Sequence, residues 1–441
     1  MDAPISVDRF RFLLFSFKEK LWVKPLSLCV LSIAAVFASK LADGTALAEH
    51  LPKVDQSSVE TLLSIMASSM LVIATFSAGT MVSAYASASR SSTPRSVSLI
   101  ISDDASQNAL STFVGAFIFS VVAITASINN FFEDAGIFLL FCLTCLVFVI
   151  VILTFIRWVD SVARLGRVGS TVQKVEDAAM RAINHRLSTP RLGGKPQPNS
   201  VKEQGGDPSK YQTLTTDSIG YVQMVDMAKV QAWAEERDTQ VHIAMLPGQF
   251  CTPDKPLCYI ESFKPKNSED DSSSKASDKS ALLSAFQIGS ERSFEADPRY
   301  GLVVLSEIAS RALSPSVNDP GTAISILGSY ARLFIQWAHK EKCDDIGDIK
   351  YDKVTVPDMS TADMFDDAFT GLARDGASMI EVSIRIQKTL DAIAKTSNDD
   401  ICKAATKHAK EAYERSMKAL IHDGDKEMLS AVVNSLNNKR S

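Results

Sequence analysis

The sequence has few of the residues and motifs by which enzymes, metal proteins and nucleic-acid binders are recognised. Its six histidines never stand at the spacing of metal ligands, and it contains no phosphate-binding glycine loop, GxSxG sequence or dinucleotide-binding fingerprint. A formal net charge of −5 excludes a strongly basic nucleic-acid binder. Seven scattered cysteines do not make a disulfide framework. The sequence thus offers no catalytic residues, no metal ligands and no cofactor site, and it predicts no nucleic-acid partner.

Long apolar runs are absent after Trp158, but four of them precede that residue. A helix that crosses a bilayer needs roughly 20 apolar residues, and each run is long enough. The pattern predicts a multi-pass membrane protein with a four-helix transmembrane bundle over residues 21–158, surrounded by the lipid bilayer. The predicted spans are residues 21–41, 59–85, 109–128 and 135–156.

Ionisable side chains are missing from the cores of the second, third and fourth spans. An ion-coupled transporter usually keeps a charged group near the middle of the membrane, so this absence argues against an active pump. The second span is instead small and hydroxylated, and two interpretations stay open. Its small residues predict a helix-packing seam, inside the bundle or between protomers, or its hydroxyls line a pore. The candidate residues are Ser64, Ser68, Thr75, Gly79 and Ser83.

Lysine and arginine are distributed unequally between the two sides of the predicted bundle. Basic residues occur before the first span, between the second and third, and after the fourth, for example Arg11, Arg95 and Arg164. The other two loops carry acidic residues such as Asp43 and Glu133. Because basic loops stay in the cytoplasm, both termini and the large C-terminal part are predicted to be cytoplasmic.

The chain after the last span has the alternating polarity of a water-soluble α+β domain. Its β module resembles a barrel-sandwich hybrid of biotinyl and lipoyl carrier domains, although Asp254 stands where that pattern has a glycine. No lysine occupies the modified position, so no covalent cofactor is expected. The predicted organisation is an N-terminal cytoplasmic segment (1–20), a helical neck (159–187), a linker (188–210), the β module (211–290) with a disordered loop (264–279), and a helical domain (291–441).

Charged residues concentrate between residues 289 and 322, around two predicted helix starts. A cluster of arginines and carboxylates is able to bind an anion, and a helix N-terminus at Pro320 favours negative charge. The alternative is a network of helix caps and ion pairs that fixes a helix–loop–helix. The ligand-binding candidates are Arg292, Glu295, Arg311, Asn318 and Asp319.

Several motifs resemble the family of predicted bacterial membrane proteins called domain of unknown function 2254 (DUF2254). They are LLSIMASSM (62–70), GYVQMVD (220–226), LPGQFCTPDKPL (246–257) and RALSPSVNDPGTA (311–323). The resemblance covers nearly the whole chain. It implies four spans and a cytoplasmic domain in a bacterial inner membrane, and it implies no particular activity.

Two functional hypotheses follow, and an enzyme ranks third because no nucleophile–base pair is visible. The first is a homo-oligomeric pore or channel for an ion, with a cytoplasmic domain that gates it or forms its vestibule. The alternative is a membrane-anchored sensor or scaffold whose cytoplasmic domain binds a small anionic ligand or a protein partner.

Overall fold

The computed structural model describes residues 22–44, 52–91, 93–96, 99, 104–164, 167–198, 201, 210–261, 279–338, 349–396 and 398–438. The chain divides into two compact units between Thr171 and Val172. The predicted N-terminal segment (1–20) and nearly all of the predicted disordered loop (264–279) lie outside the described residues.

Three helices of the first unit are long and apolar enough to cross a membrane. They are α2 (Gln56–Ser91), α3 (Asp104–Ile128) and α4 (Asp134–Arg164). The first predicted span forms α1 (Val23–Ser39), whose 17 residues rise about 26 Å. This is less than the roughly 30 Å of a hydrocarbon core. The prediction of membrane-spanning helices is therefore confirmed for three of the four runs.

Helix α3 lies at the centre of the first unit. It packs against α1, α2 and α4, and it buries Ala109, Phe113, Ala116 and Ala123. Together with the buried Phe119, these residues recur every three or four positions, which is the spacing of a packing face along a helix. Side chains from α2 and α4, such as Leu63, complete the core.

The aspartate of a short 3-10 turn (Lys40–Gly44) caps helix α4. Asp43 accepts hydrogen bonds from the backbone N–H groups of Glu133 at 3.0 Å and Gly136 at 2.5 Å. Lys40 lies 3.3 Å from the same carboxylate. A carboxylate at the N-terminus of a helix accepts from N–H groups that have no partner within the helix. Its negative charge also interacts favourably with the helix dipole.

The second unit contains two sheets around one core. The larger has the order β1-β8-β4-β6-β2, in which β1, β8 and β4 are parallel and the other pairs antiparallel. The smaller is antiparallel, with the order β5-β3-β7. The strands are β1 (Gly194–Pro196), β2 (Tyr211–Leu214), β3 (Gly220–Val225), β4 (Val241–Ile243), β5 (Phe250–Cys251), β6 (Cys258–Glu261), β7 (Phe286–Gly289) and β8 (Tyr351–Val356).

A barrel-sandwich hybrid is not confirmed, and two strands lie outside the range predicted for the β module. Strand β1 falls in the predicted linker, together with a 3-10 turn (Pro190–Gly193). Strand β8 falls in the predicted helical domain, yet it lies between β1 and β4. Val354 and Val356 are fully buried there, because a central strand needs apolar side chains on its covered faces. The strands that pair with β8 are remote in sequence, so no local pattern in residues 351–356 predicted this pairing.

The helical part of the second unit buries four aromatic side chains: Tyr330, Phe334, Phe365 and Phe369. The ring centroids of Phe334 and Phe365 lie 4.3 Å apart, and those of Tyr330 and Phe369 lie 5.2 Å apart. The helices are α5 (Val168–Ser188), α6 (Met227–Glu236), α7 (Pro298–Ala312), α8 (Pro320–Ala338), α9 (Thr361–Asp375), α10 (Ile380–Ala394), α11 (Asp399–Ala419) and α12 (Asp423–Asn438).

Candidate functional site

The five small residues singled out in the second span all face outward from the first unit. We call Ser64, Ser68, Thr75, Gly79 and Ser83 of α2 the α2 stripe, and each of them is exposed in the single chain. The opposite face of the helix is buried and apolar, with Leu63, Met66, Met70, Ala74 and Met81. Among the described residues of this unit, the stripe is therefore outside the packed core.

Two hydroxyl groups of the α2 stripe donate hydrogen bonds within their own helix. Ser68 donates to the carbonyl of Ser64 at 2.9 Å, and Thr75 donates to the carbonyl of Leu71 at 2.8 Å. Apart from the adjoining turns of α2, no atom of the described residues lies within 4 Å of the position that a Cβ on Gly79 would take. The stripe thus presents oxygen atoms and an open backbone surface, with no unpaired proton donor at Ser68 or Thr75.

The outward face of α4 differs in composition from the α2 stripe. It exposes large aliphatic side chains, among them Leu146, Ile150 and Ile156, as expected of a surface in contact with lipid tails. Helix α2 also exposes large residues beside the stripe, such as Ile65 and Phe76. The small polar strip is therefore narrow and bordered by lipid-compatible surface.

In the second unit, the buried carboxylate of Asp297 joins two of the motifs noted in the sequence. Only 2 % of its side chain is exposed. It caps α7 by accepting from the N–H of Arg299 at 3.0 Å, and it accepts from Nε of Arg292 at 2.6 Å. Gly248, at φ +94°, lies against this carboxylate, where any Cβ would overlap it. Burial raises the pKa of Asp297, and the charge of Arg292 opposes that shift.

Two further arginines surround this aspartate. Arg299 donates to Asp367 and to Asp363, both at 2.7 Å, which ties α7 to α9. Arg186 of α5 is 6 % exposed and donates to the carbonyl of Ala296 at 3.2 Å. We call Arg186, Arg292, Asp297 and Gly248 the Asp297 cluster.

The structure does not bring the five predicted ligand-binding residues together. Arg292 and the half-buried Glu295 precede α7, whereas Arg311, Asn318 and Asp319 lie at its other end. The 15 residues of α7 rise about 22 Å, so the candidates form two separate groups, one at each end of this helix.

The second of these groups is a helix cap. Asp319 accepts from the N–H of Thr322 at 3.0 Å and from its hydroxyl at 2.6 Å. These hydrogen bonds lower the pKa of Asp319. Asn318 has a φ of +50° and is exposed with Val317 at the turn. This arrangement fits the cap-and-turn interpretation.

Sequence reasoning did not single out Arg186, although a signal for it exists. Val175, Ala179 and Ala182 are buried at helical spacing on α5, and position 186 continues that series. A charged residue at an apolar position is the recognisable feature. Among the described residues, no group of three or more His, Cys, Asp or Glu side chains is placed to hold a metal ion.

Comparison with known proteins agrees with the resemblance seen in the motifs. The family model "Predicted membrane protein (DUF2254)" matches residues 18–392. The chain is also similar to "Uncharacterized protein MT1328" of Mycobacterium tuberculosis (strain CDC 1551 / Oshkosh), with 27% identity over 148 residues, which is 33% of this chain and 27% of that protein. The chain thus matches about a quarter of the length of this relative. No solved structure matches the chain. The protein belongs to the DUF2254 family of predicted membrane proteins.

Proposed function

We propose that the protein is a homo-oligomeric pore of a bacterial inner membrane, in which α2 helices from neighbouring copies face each other across the axis. The observation that carries this proposal is the outward position of the α2 stripe. In a single chain this strip of small residues, four of which carry a hydroxyl group, is exposed on the described part of the unit. Small residues on an exposed transmembrane face favour close approach of helices from another copy.

The hydrogen bonds of the stripe favour a cation as the permeating ion. Ser68 and Thr75 direct their protons to backbone carbonyls, so the hydroxyl oxygens offer lone pairs to the outside. A ring of such oxygens replaces part of the hydration shell of a cation without a fixed charge. Ser64, Gly79 and Ser83 extend the same path along α2.

The proposed topology has four spans, with α1 as the first of them and both termini in the cytoplasm. Helix α1 is short, but the 3-10 turn (Lys40–Gly44) lengthens it toward the far side. Arg157 and Arg164 lie in the C-terminal part of α4 and Arg167 follows it, which supports a cytoplasmic position for the second unit. We assign this unit the role of a vestibule or gate, in place of a separate enzyme domain.

Conductance of the purified full-length protein in planar bilayers tests the proposal. We expect cation-selective single-channel currents from the wild type. The double substitution Ser68→Leu with Thr75→Leu should abolish them and leave the oligomer intact, because it fills the stripe with hydrocarbon. The matched control is Cys142→Leu with Cys145→Leu, which adds bulk to two exposed positions of α4 and should preserve conductance.

Two outcomes would contradict this function. Absence of current for several ions and voltages would argue against a pore. Loss of the oligomer in the Ser68→Leu, Thr75→Leu variant would instead identify the stripe as a packing seam between protomers.

A further inference from the structure

A small cavity lies beside Arg186 in the second unit. Its volume is about 60 Å³, whereas one water needs roughly 10–15 Å³ by the same kind of measure. Residues from α5, from β3 and from the turn at Pro247 line it. The space therefore suits a molecule of a few non-hydrogen atoms.

The guanidinium of Arg186 is the charged group in the wall of this cavity. Only 6 % of Arg186 is exposed. Among the described residues, its guanidinium donates one hydrogen bond, to the carbonyl of Ala296. Its other N–H groups have no acceptor among the described residues, although a guanidinium carries five donors. Arg186 lines the cavity, so a donor that has no protein acceptor is available to a ligand that accepts.

Nearby charges do not neutralise Arg186. Asp297 attracts it through space, but that carboxylate already accepts from Arg292 at 2.6 Å. Burial lowers the pKa of Arg186 to about 10, so the group is still cationic at neutral pH. Asp363 and Asp367 pair with Arg299, so no carboxylate of the described residues hydrogen-bonds to Arg186. A buried guanidinium without a contacting carboxylate favours an anionic ligand.

The remaining walls combine two polar residues with a larger apolar surface. His185 and Thr189 stand beside Arg186 on the helix and the turn that follows, while Leu192, Met224 and Met227 are apolar. No carboxylate of the described chain lines the cavity. A planar guanidinium binds the two oxygens of a carboxylate as a fork, and the methionine and leucine side chains suit a short alkyl group.

We propose that this cavity binds a small monocarboxylate, whose oxygens accept from Arg186 and whose alkyl part contacts Met224 and Met227. The site lies wholly in the second unit and does not depend on the proposed pore. It gives the chain a ligand-sensing function with a defined chemical class.

Thermal unfolding of the full-length protein in detergent, with sodium acetate, propionate, chloride or phosphate at equal ionic strength, tests this site. We expect acetate and propionate to raise Tm of the wild type by about 2–4 °C near saturation, and calorimetric titration should give one site per chain. No rise with either carboxylate would overturn the proposal. An equal rise with chloride would overturn the assignment to carboxylates.

Variants of Arg186 identify the binding group. Arg186→Met should abolish the carboxylate-dependent rise, and Arg186→Lys should weaken affinity roughly tenfold because it keeps the charge but loses the fork. Arg181→Met is the matched control, since Arg181 is exposed on the same helix, and it should bind like the wild type. If Arg186→Met does not fold, Arg186→Lys decides, and unchanged affinity in that variant would refute the site.

Discussion

At the scale of single residues, two aspartates of the second unit have the same local role, capping a helix, but differ in burial. Asp297 and Asp319 both accept from a backbone N–H at the start of a helix. Asp297 also faces two arginines and is almost fully buried, whereas Asp319 is half-buried and pairs with a threonine hydroxyl. The same residue type is thus a charge partner in one place and mainly a cap in the other.

Substitution by asparagine separates these two roles. Asn caps a helix about as well as Asp, so Asp319→Asn should cost well under about 1 kcal/mol of unfolding free energy. Asp297→Asn leaves Arg292 buried without its carboxylate and should cost about 3–5 kcal/mol. Thermal or urea unfolding of the second unit, followed by near-UV circular dichroism, measures both. Equal losses in the two variants would contradict this account.

At the scale of elements, the larger sheet contains a histidine at the contact between β4 and β8. His242 is 1 % exposed, and its Nδ1 lies 2.7 Å from the hydroxyl of Thr355. Tyr211 packs edge-on against the imidazole ring at 5.3 Å between centroids. Burial lowers the pKa of His242, and the charge of Glu261 opposes that shift.

Lowering the pH should therefore destabilise the larger sheet, because the buried His242 becomes protonated. The pKa of His242 in the folded protein lies below the ordinary 6.5, so the neutral imidazole stabilises the fold fully above pH 6.5. This stabilisation is lost as the pH falls from that value through the pKa of the folded state. Between about pH 7.5 and about pH 5, Tm of the wild type should fall more steeply than that of His242→Gln. His422→Gln, at an exposed position, is the control and should follow the wild type. Parallel curves for wild type and His242→Gln would refute the prediction.

Elements specified by neighbouring residues were predictable, and those specified by distant partners were not. Asp297 followed by Pro298 is a local signal for a helix start, and α7 begins at Pro298. Hydropathy located α2, α3 and α4 because each span carries its signal within itself. Strand β8 and the approach of Gly248 to Asp297 depend on long-range pairing, and no local pattern encodes that pairing.

At the scale of the whole molecule, the proposed pore places the α2 stripes of neighbouring chains around one axis. Their small side chains leave space for an ion between the helices. The side chain at position 68 should then lie near its copy in the neighbouring chain, whereas the exposed face of α4 should meet lipid.

Cysteine cross-linking in membranes measures this arrangement. In a cysteine-free background, Ser68→Cys should form disulfide-linked dimers on mild oxidation, because the sulfur atoms of two chains come within bonding reach. Ile150→Cys, on the exposed face of α4, should stay monomeric on a denaturing gel. Equal cross-linking at the two positions would indicate random collision and would contradict the proposed contact.

The insertion of β8 between β1 and β4 has a consequence for how the protein is made. Gly194 and its partner Tyr351 are separated by roughly 150 residues, and such distant pairing delays folding. A ribosome completes all of the apolar helices long before it supplies the strand that joins β1 to the sheet. A product that stops before Tyr351 would leave the buried edge of β4 open to other chains, so premature termination there should yield aggregates at the membrane surface.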